Sequence, residues 1–133
     1  MGNPAQYTIT IPLTPPSGNT WNRMHYHAQD DLVNDWAPLV SAAVGVAGKA
    51  WFDRARVEAV MYFKSNRRRD VPNYLVTLDK LIIDHLKGRV IPDDNSEVLP
   101  EYSLRFVVDK REKPRTVVTL IALPLYITKR PGG

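Results

Sequence analysis

Residues 56–88, RVEAVMYFKSNRRRDVPNYLVTLDKLIIDHLKG, decide the fold. The stretch begins by alternating. Val57, Ala59, Met61 and Phe63 fall on one side, the period-two pattern of a half-buried strand over residues 56–64. The period then changes. Pro72 allows a helix to begin, and residues 73–86 carry apolar side chains at three- and four-residue spacing until Gly88 ends the run. A strand that feeds a helix directly needs further strands to make a sheet for that helix to cover.

Those strands are found on both sides. Upstream, Tyr7-Thr-Ile-Thr-Ile11 alternates and stops at Pro12. Pro15-Pro16-Ser17-Gly18-Asn19 continues neither regular structure and is expected to open a loop lasting to about His27. A helical pattern follows in Leu32, Trp36, Leu39 or Val40, Ala43, Val44 and Ala47, with Pro38 either kinking the helix or marking its first turn. Downstream, Tyr102, Leu104, Phe106 and Val108 alternate, and residues 116–123 are rich in β-branched side chains. The polar segment between them, residues 109–115 with Pro114, reads as a hairpin connection. The order strand, helix, strand, helix, strand, strand predicts one α+β domain with a mixed sheet and two main helices. Residues 1–5 and 128–133 are expected to fray.

Composition narrows the function. The chain has 133 residues, the length of one domain, and 44% of them are hydrophobic, which argues against disorder. It has no cysteine, so a disulfide framework, a thiolate metal site and a cysteine nucleophile are excluded. The first residues are too polar for a signal peptide, and no run of ~18 apolar residues is present to span a membrane. An intracellular, cytoplasmic setting is the expectation. Lys and Arg number 18 against 14 Asp and Glu, a net charge of +4. The charge is clustered: Arg67, Arg68 and Arg69 in one group, Lys110, Arg111, Lys113 and Arg115 in a second, Lys129 and Arg130 in a third. Clustered cations point to a polyanionic partner. Aromatics are scattered and do not interleave with these clusters, so a single-strand stacking platform is not expected.

The chemistry concentrates around the second predicted helix. On a wheel with Asn73 at zero, Thr77, Lys80 and Asp84 fall at about 40°, −20° and 20°, one narrow polar stripe opposite Leu75, Leu78, Ile82 and Leu86. Asp70 precedes the stripe and Asp93-Asp94 follows the helix in a loop. Carboxylates converging without a cation repel and raise one another's pKa. A hard divalent ion such as Mg²⁺ resolves the repulsion, and it can polarise a phosphodiester and lower the pKa of an attacking water. Neighbouring arginines hold phosphates and offset developing charge. The spacing therefore points to metal-assisted phosphodiester hydrolysis. His25 and His27 lack a third partner, so no zinc site is expected, and contact with a DNA backbone is the functional reading of Arg23 and His25.

Arg68-Arg69-Asp70-Val71-Pro72-Asn73, then Lys80-Leu-Ile-Ile-Asp84-His-Leu86, then Ile91-Pro92-Asp93-Asp94, resembles the signature of the RusA family of Holliday-junction resolvases. Pro15-Pro16-Ser17-Gly18-Asn19 is similar to the family's opening after its first strand, and Asn22-Arg23-Met24-His25 to the segment that follows in phage members. The resemblance implies a homodimeric, Mg²⁺- or Mn²⁺-dependent endonuclease that cuts four-way DNA symmetrically in recombination and repair, in the host cytoplasm if phage-encoded. It also implies Asp70, Lys80 and Asp94 as catalytic residues, with Asp70, Asp94, Asp93 and Asp84 around the ion. Arg67, Arg68, Arg69, Asn73, Arg23 and His25 are expected on the DNA. The family's usual Asp-x-Asp-Asn has Pro72 at its second aspartate here, so the alternative expectation is a catalytically impaired DNA-binding relative. The run from Asn73 to Lys80 is also about one helical turn longer than in the best-known members, which returns Lys80 to nearly the same face.

Overall fold

Strand β1 (Gln6–Ile11) leads through Pro12 to Pro16 into a short helix, α1 (Gly18–Arg23), and then the long helix α2 (Tyr26–Ala47). Strand β2 (Ala55–Phe63) precedes helix α3 (Val71–Leu81), a single 3₁₀ turn (Ile83–Leu86) and strands β3 (Glu101–Val108) and β4 (Arg115–Ala122). The computed structural model describes residues 4–125. The expected fraying of residues 128–133, and the Lys129–Arg130 cluster, lie outside that range. At the other end Ala5 is tied down, its carbonyl accepting from the Ala122 N–H at 2.9 Å.

The four strands form a mixed sheet in the order β1-β4-β2-β3, with β2–β3 parallel and β4 antiparallel to both its neighbours. The predicted α+β class and mixed sheet are correct. The hairpin is not: β4 does not pair with β3 but crosses β2 to insert between β2 and β1. The connecting residues 109–114 span two strand spacings, about 10 Å, well within the reach of six extended residues. Asp109 builds that crossing. Its carboxylate accepts from the Arg111 and Glu112 N–H groups and pairs with Arg115 at 3.2 Å.

One face of the sheet is dry. Every second residue of β2, from Ala55 to Phe63, is buried, and Ile9, Ile11, Val118, Leu120 and Leu104 join it beneath the helices. Helix α2 lies along β1, anchored by the Tyr7 hydroxyl, which donates to the Gly48 carbonyl at 2.7 Å. Pro38 sits inside this helix rather than at its start. The loop expected up to His27 is shorter than that. Ser17 caps α1, its hydroxyl accepting from Thr20, and His25 caps α2 through Nδ1.

Helix α3 differs most from expectation. It stops at Leu81, because Ile82 leaves helical geometry at φ −120°, ψ −63°, and residues 83–86 tighten into the 3₁₀ turn. Its buried face is also turned by roughly a quarter of the wheel, since Tyr74 and Leu81 pull it toward the sheet. Thr77, placed on the polar stripe by the wheel, is fully buried and donates to the Tyr74 carbonyl. Among the described residues no helix is long and apolar enough to cross a membrane.

Candidate functional site

Helix α3 separates the predicted site into two groups. Its first turn lies over the Phe63 end of the strands, where Tyr74 packs against Phe63 and Phe106 with ring centroids 5.8 and 5.3 Å apart. Its last turn lies over the opposite end, where Asp79 meets Tyr102 near the start of β3. From Asp70 to Asp79 the helix rises about 13 Å.

The N-terminal group contains Asp70, Arg67, Arg68, Arg69 and Asn73. Asp70 occupies the cap position of α3 but makes no capping hydrogen bond with its side chain, and it is exposed. With Asn19, Arg69 and Asn73 it lines a shallow open cleft. Arg67 and Arg68 are exposed, and neither makes an ion pair among the described residues. Arg69 is committed elsewhere. Its guanidinium lies 3.6 Å over the Phe63 ring and donates to the Ser65 and Arg67 carbonyls and the Ser65 hydroxyl. Asn73 is committed as well. Its Oδ1 accepts from the Asn19 N–H at 2.9 Å, and Gly18 comes so close that a Cβ there would sit 2.9 Å from both the Asn73 carbonyl oxygen and Oδ1. These two residues, expected on a DNA backbone, hold the α1–α3 corner and the arginine loop in this structure. Arg23 ends α1 exposed, and His25 accepts from the His27 N–H while stacking with the Tyr26 and His27 rings.

The C-terminal group is acidic. Asp84, Asp93 and Asp94 gather around Lys87, and Asp79 lies near Asp94 and Asp84, with Lys80 exposed beside it. Lys87 pairs with Asp84 at 2.8 Å and with Asp94 at 3.8 Å, and these contacts, the Asp84 hydrogen bond first, hold its ammonium above the ordinary lysine range. Asp93 is spent on its own turn. It accepts from the Asp94 N–H at 2.8 Å and from the Asn95 amide at 3.2 Å, and the backbone bond chiefly holds its carboxyl below the usual range.

Asp79 escaped the reading of the sequence. Burial pushes its carboxyl up, and the neighbouring Asp94 carboxyl pushes it further, with Asp84 adding to the shift and Lys80 opposing it. The Tyr102 hydroxyl faces Asp79, and burial followed by the charges of Asp79 and Asp94 drives the phenol up as well. The signal was present in the sequence: Asp79 sits on the flank of the apolar face, where a half-buried carboxylate requires a partner.

The expected ion site is therefore not assembled. Asp84, Asp93, Asp94 and Lys80 come together, but Asp70 stands at the other end of α3, beyond the few ångströms over which carboxylates share one ion. Among the described residues no three His, Asp or Glu side chains converge tightly enough to hold a metal. The pair Asp79–Asp94 fits a lesser arrangement, two carboxylates with the remaining ligands supplied by water, which is how Mg²⁺ is commonly held.

No protein-family model matches the chain, and no curated protein matches it.

Proposed function

We propose that this protein is a divalent-metal-dependent endonuclease acting on branched DNA, a RusA-like resolvase that works as a homodimer in the cytoplasm. One observation carries the reading: Asp79 and Asp94 are pressed together with their charges offset only in part, by Lys87 and Lys80. Carboxylates held in mutual repulsion mark a functional site more often than a structural one. Mg²⁺ or Mn²⁺ bound there would supply a Lewis acid and a more acidic water.

The chain's own residues have separate tasks. Asp79 and Asp94 would hold the ion, with Asp79 half-buried beside Tyr102. Lys87 keeps Asp84 and Asp94 together. Lys80 offers a charge to a phosphate beside them. Arg67 and Arg68, at the far end of α3, steer and hold the DNA backbone, so affinity falls steeply with salt. The test is cleavage of synthetic four-way junctions with Mg²⁺, Mn²⁺ and EDTA. Paired, metal-dependent nicks support the reading, and junction binding without products overturns it.

A second reading, a branched-DNA-binding relative that does not cut, is favoured by the position of Asp70, which stands apart from the other carboxylates behind Pro72. Binding that is equal in Mg²⁺ and EDTA, with no products in either, supports it.

A further inference from the structure

We propose that the cleft between the end of α2 and the turn after the 3₁₀ helix binds a nucleotide unit of a DNA strand, with Trp51 stacking the base and Lys49 and Arg89 holding the phosphate. The cleft measures about 680 Å³. It lies away from Asp70 and the arginine cluster, and nothing in the motif reading reaches it. Gly45, Gly48 and the buried Ala50 form its floor, and a Cβ at either glycine would meet nothing within 4 Å. An open floor without side chains lets a flat ligand approach the backbone closely.

The walls are fixed. The Phe52 N–H donates to the Val90 carbonyl at 2.7 Å, tying the Trp51 wall to the Arg89 wall. The Tyr7 hydroxyl holds Gly48 from below at 2.7 Å. Trp51 keeps 38% of its surface exposed, and its indole N–H donates to Asp53 at 3.0 Å, which sets the orientation of the ring. Preorganised walls lower the ordering cost of binding.

Charge selects the ligand. Lys87 and Arg89 are two residues apart on one turn, yet Lys87 is neutralised by Asp84 and Asp94, while Arg89 makes no ion pair among the described residues. Lys49 makes none either. An exposed indole flanked by two uncompensated cations matches a planar base joined to a phosphate, since base–indole stacking tolerates any sequence and the cations supply the affinity. The same turn presents Lys87 to the carboxylates and Arg89 to the cleft. The proposal deepens the branched-DNA reading and rests on it for the polymer; the cleft's chemistry by itself specifies a phosphorylated planar ring.

The test uses the full chain, with circular dichroism to check folding. Tryptophan fluorescence and the anisotropy of a labelled probe are followed with a short dT oligonucleotide and with free dTMP. The oligonucleotide is expected to quench fluorescence, and Trp51→Ala to remove that quenching and weaken binding about tenfold, with Trp51→Phe keeping most of the affinity. The double variant Lys49→Ala/Arg89→Ala is expected to weaken binding similarly and to lower the salt slope by about two. If these variants bind like the wild type while Arg67→Ala/Arg68→Ala loses binding, the cleft proposal is overturned and the DNA reading stands. If dTMP binds as tightly as the oligonucleotide with the same Trp51 dependence, the strand proposal is overturned in favour of a free mononucleotide. If neither probe shows a Trp51-dependent signal, the proposal falls whether or not junctions are cleaved.

Discussion

The two ends of α3 carry similar residue types and use them differently. At the N-terminal end polar groups are spent on structure: Arg69 on Phe63 and Ser65, Asn73 on Asn19. At the C-terminal end carboxylates crowd one another, and Asp79 is pushed toward its protonated form. A polar group that settles its neighbours contributes to stability, whereas a group in unresolved repulsion costs stability and is kept where chemistry needs it. Under the proposed function, the arginine end would serve as scaffold and steer DNA, and the aspartate end would hold the ion.

The largest expected effect tests that division directly. Asp79→Asn and Asp94→Asn should each lower metal-dependent junction cleavage by at least about a hundredfold, with Asp70→Asn within about tenfold of the wild type. Single-turnover assays with pre-bound junction measure this. Loss in Asp70→Asn with activity kept in Asp79→Asn reverses the assignment. Next in size, Gly18→Ala should cost about 1–3 kcal/mol in urea unfolding, because the new methyl meets backbone at Asn73. A smaller cost points to an α1–α3 corner looser than its geometry suggests.

The arginines sharpen the comparison further. Arg67→Ala/Arg68→Ala should weaken junction binding and lower the salt slope by about two with little change in stability. Arg69→Ala should do the opposite, costing about 1 kcal/mol of stability through the lost stack on Phe63 and leaving the slope almost unchanged. Equal effects of all three on the slope would remove the distinction drawn within this cluster.

The smallest effect is a pH dependence. Asp79 is raised above its unfolded pKa, so between the two values the folded chain holds a proton that the unfolded chain has released. In EDTA the stabilisation from this group is complete below the ordinary carboxylate range and is lost as pH rises through the elevated value. Asp79→Asn should flatten that decline and raise the neutral-pH melting temperature by a few degrees. A variant that melts below the wild type at neutral pH contradicts the repulsion.

Much of this architecture can be read from local pattern. The strands show period two because one face of the sheet is dry and the other is open, so β2 alternates from end to end. What depends on neighbours far away in the chain is not legible. Nothing local distinguishes a hairpin from a crossing, so the insertion of β4 beside β2 was hidden. Helix α1 was hidden too, since Trp21 is its one large apolar anchor. The break at Ile82 falls in an unbroken apolar run, with no glycine or proline before Gly88, and a wheel drawn through it carries Asp84 to a false azimuth. For the same reason Asp70 was grouped with Asp94: residues at both ends of a helix look adjacent in a motif and lie a helix length apart in space. Asp79 was legible in principle, as a carboxylate beside an apolar face, but its partner Asp94 is set by the fold of the loop.

The most direct test is a Mn²⁺ soak of crystals of the protein, with anomalous scattering locating the ion. A peak is expected between the Asp79 and Asp94 carboxylates, with Lys87 displaced from Asp94. A peak at Asp70, or none at saturating Mn²⁺, contradicts that assignment.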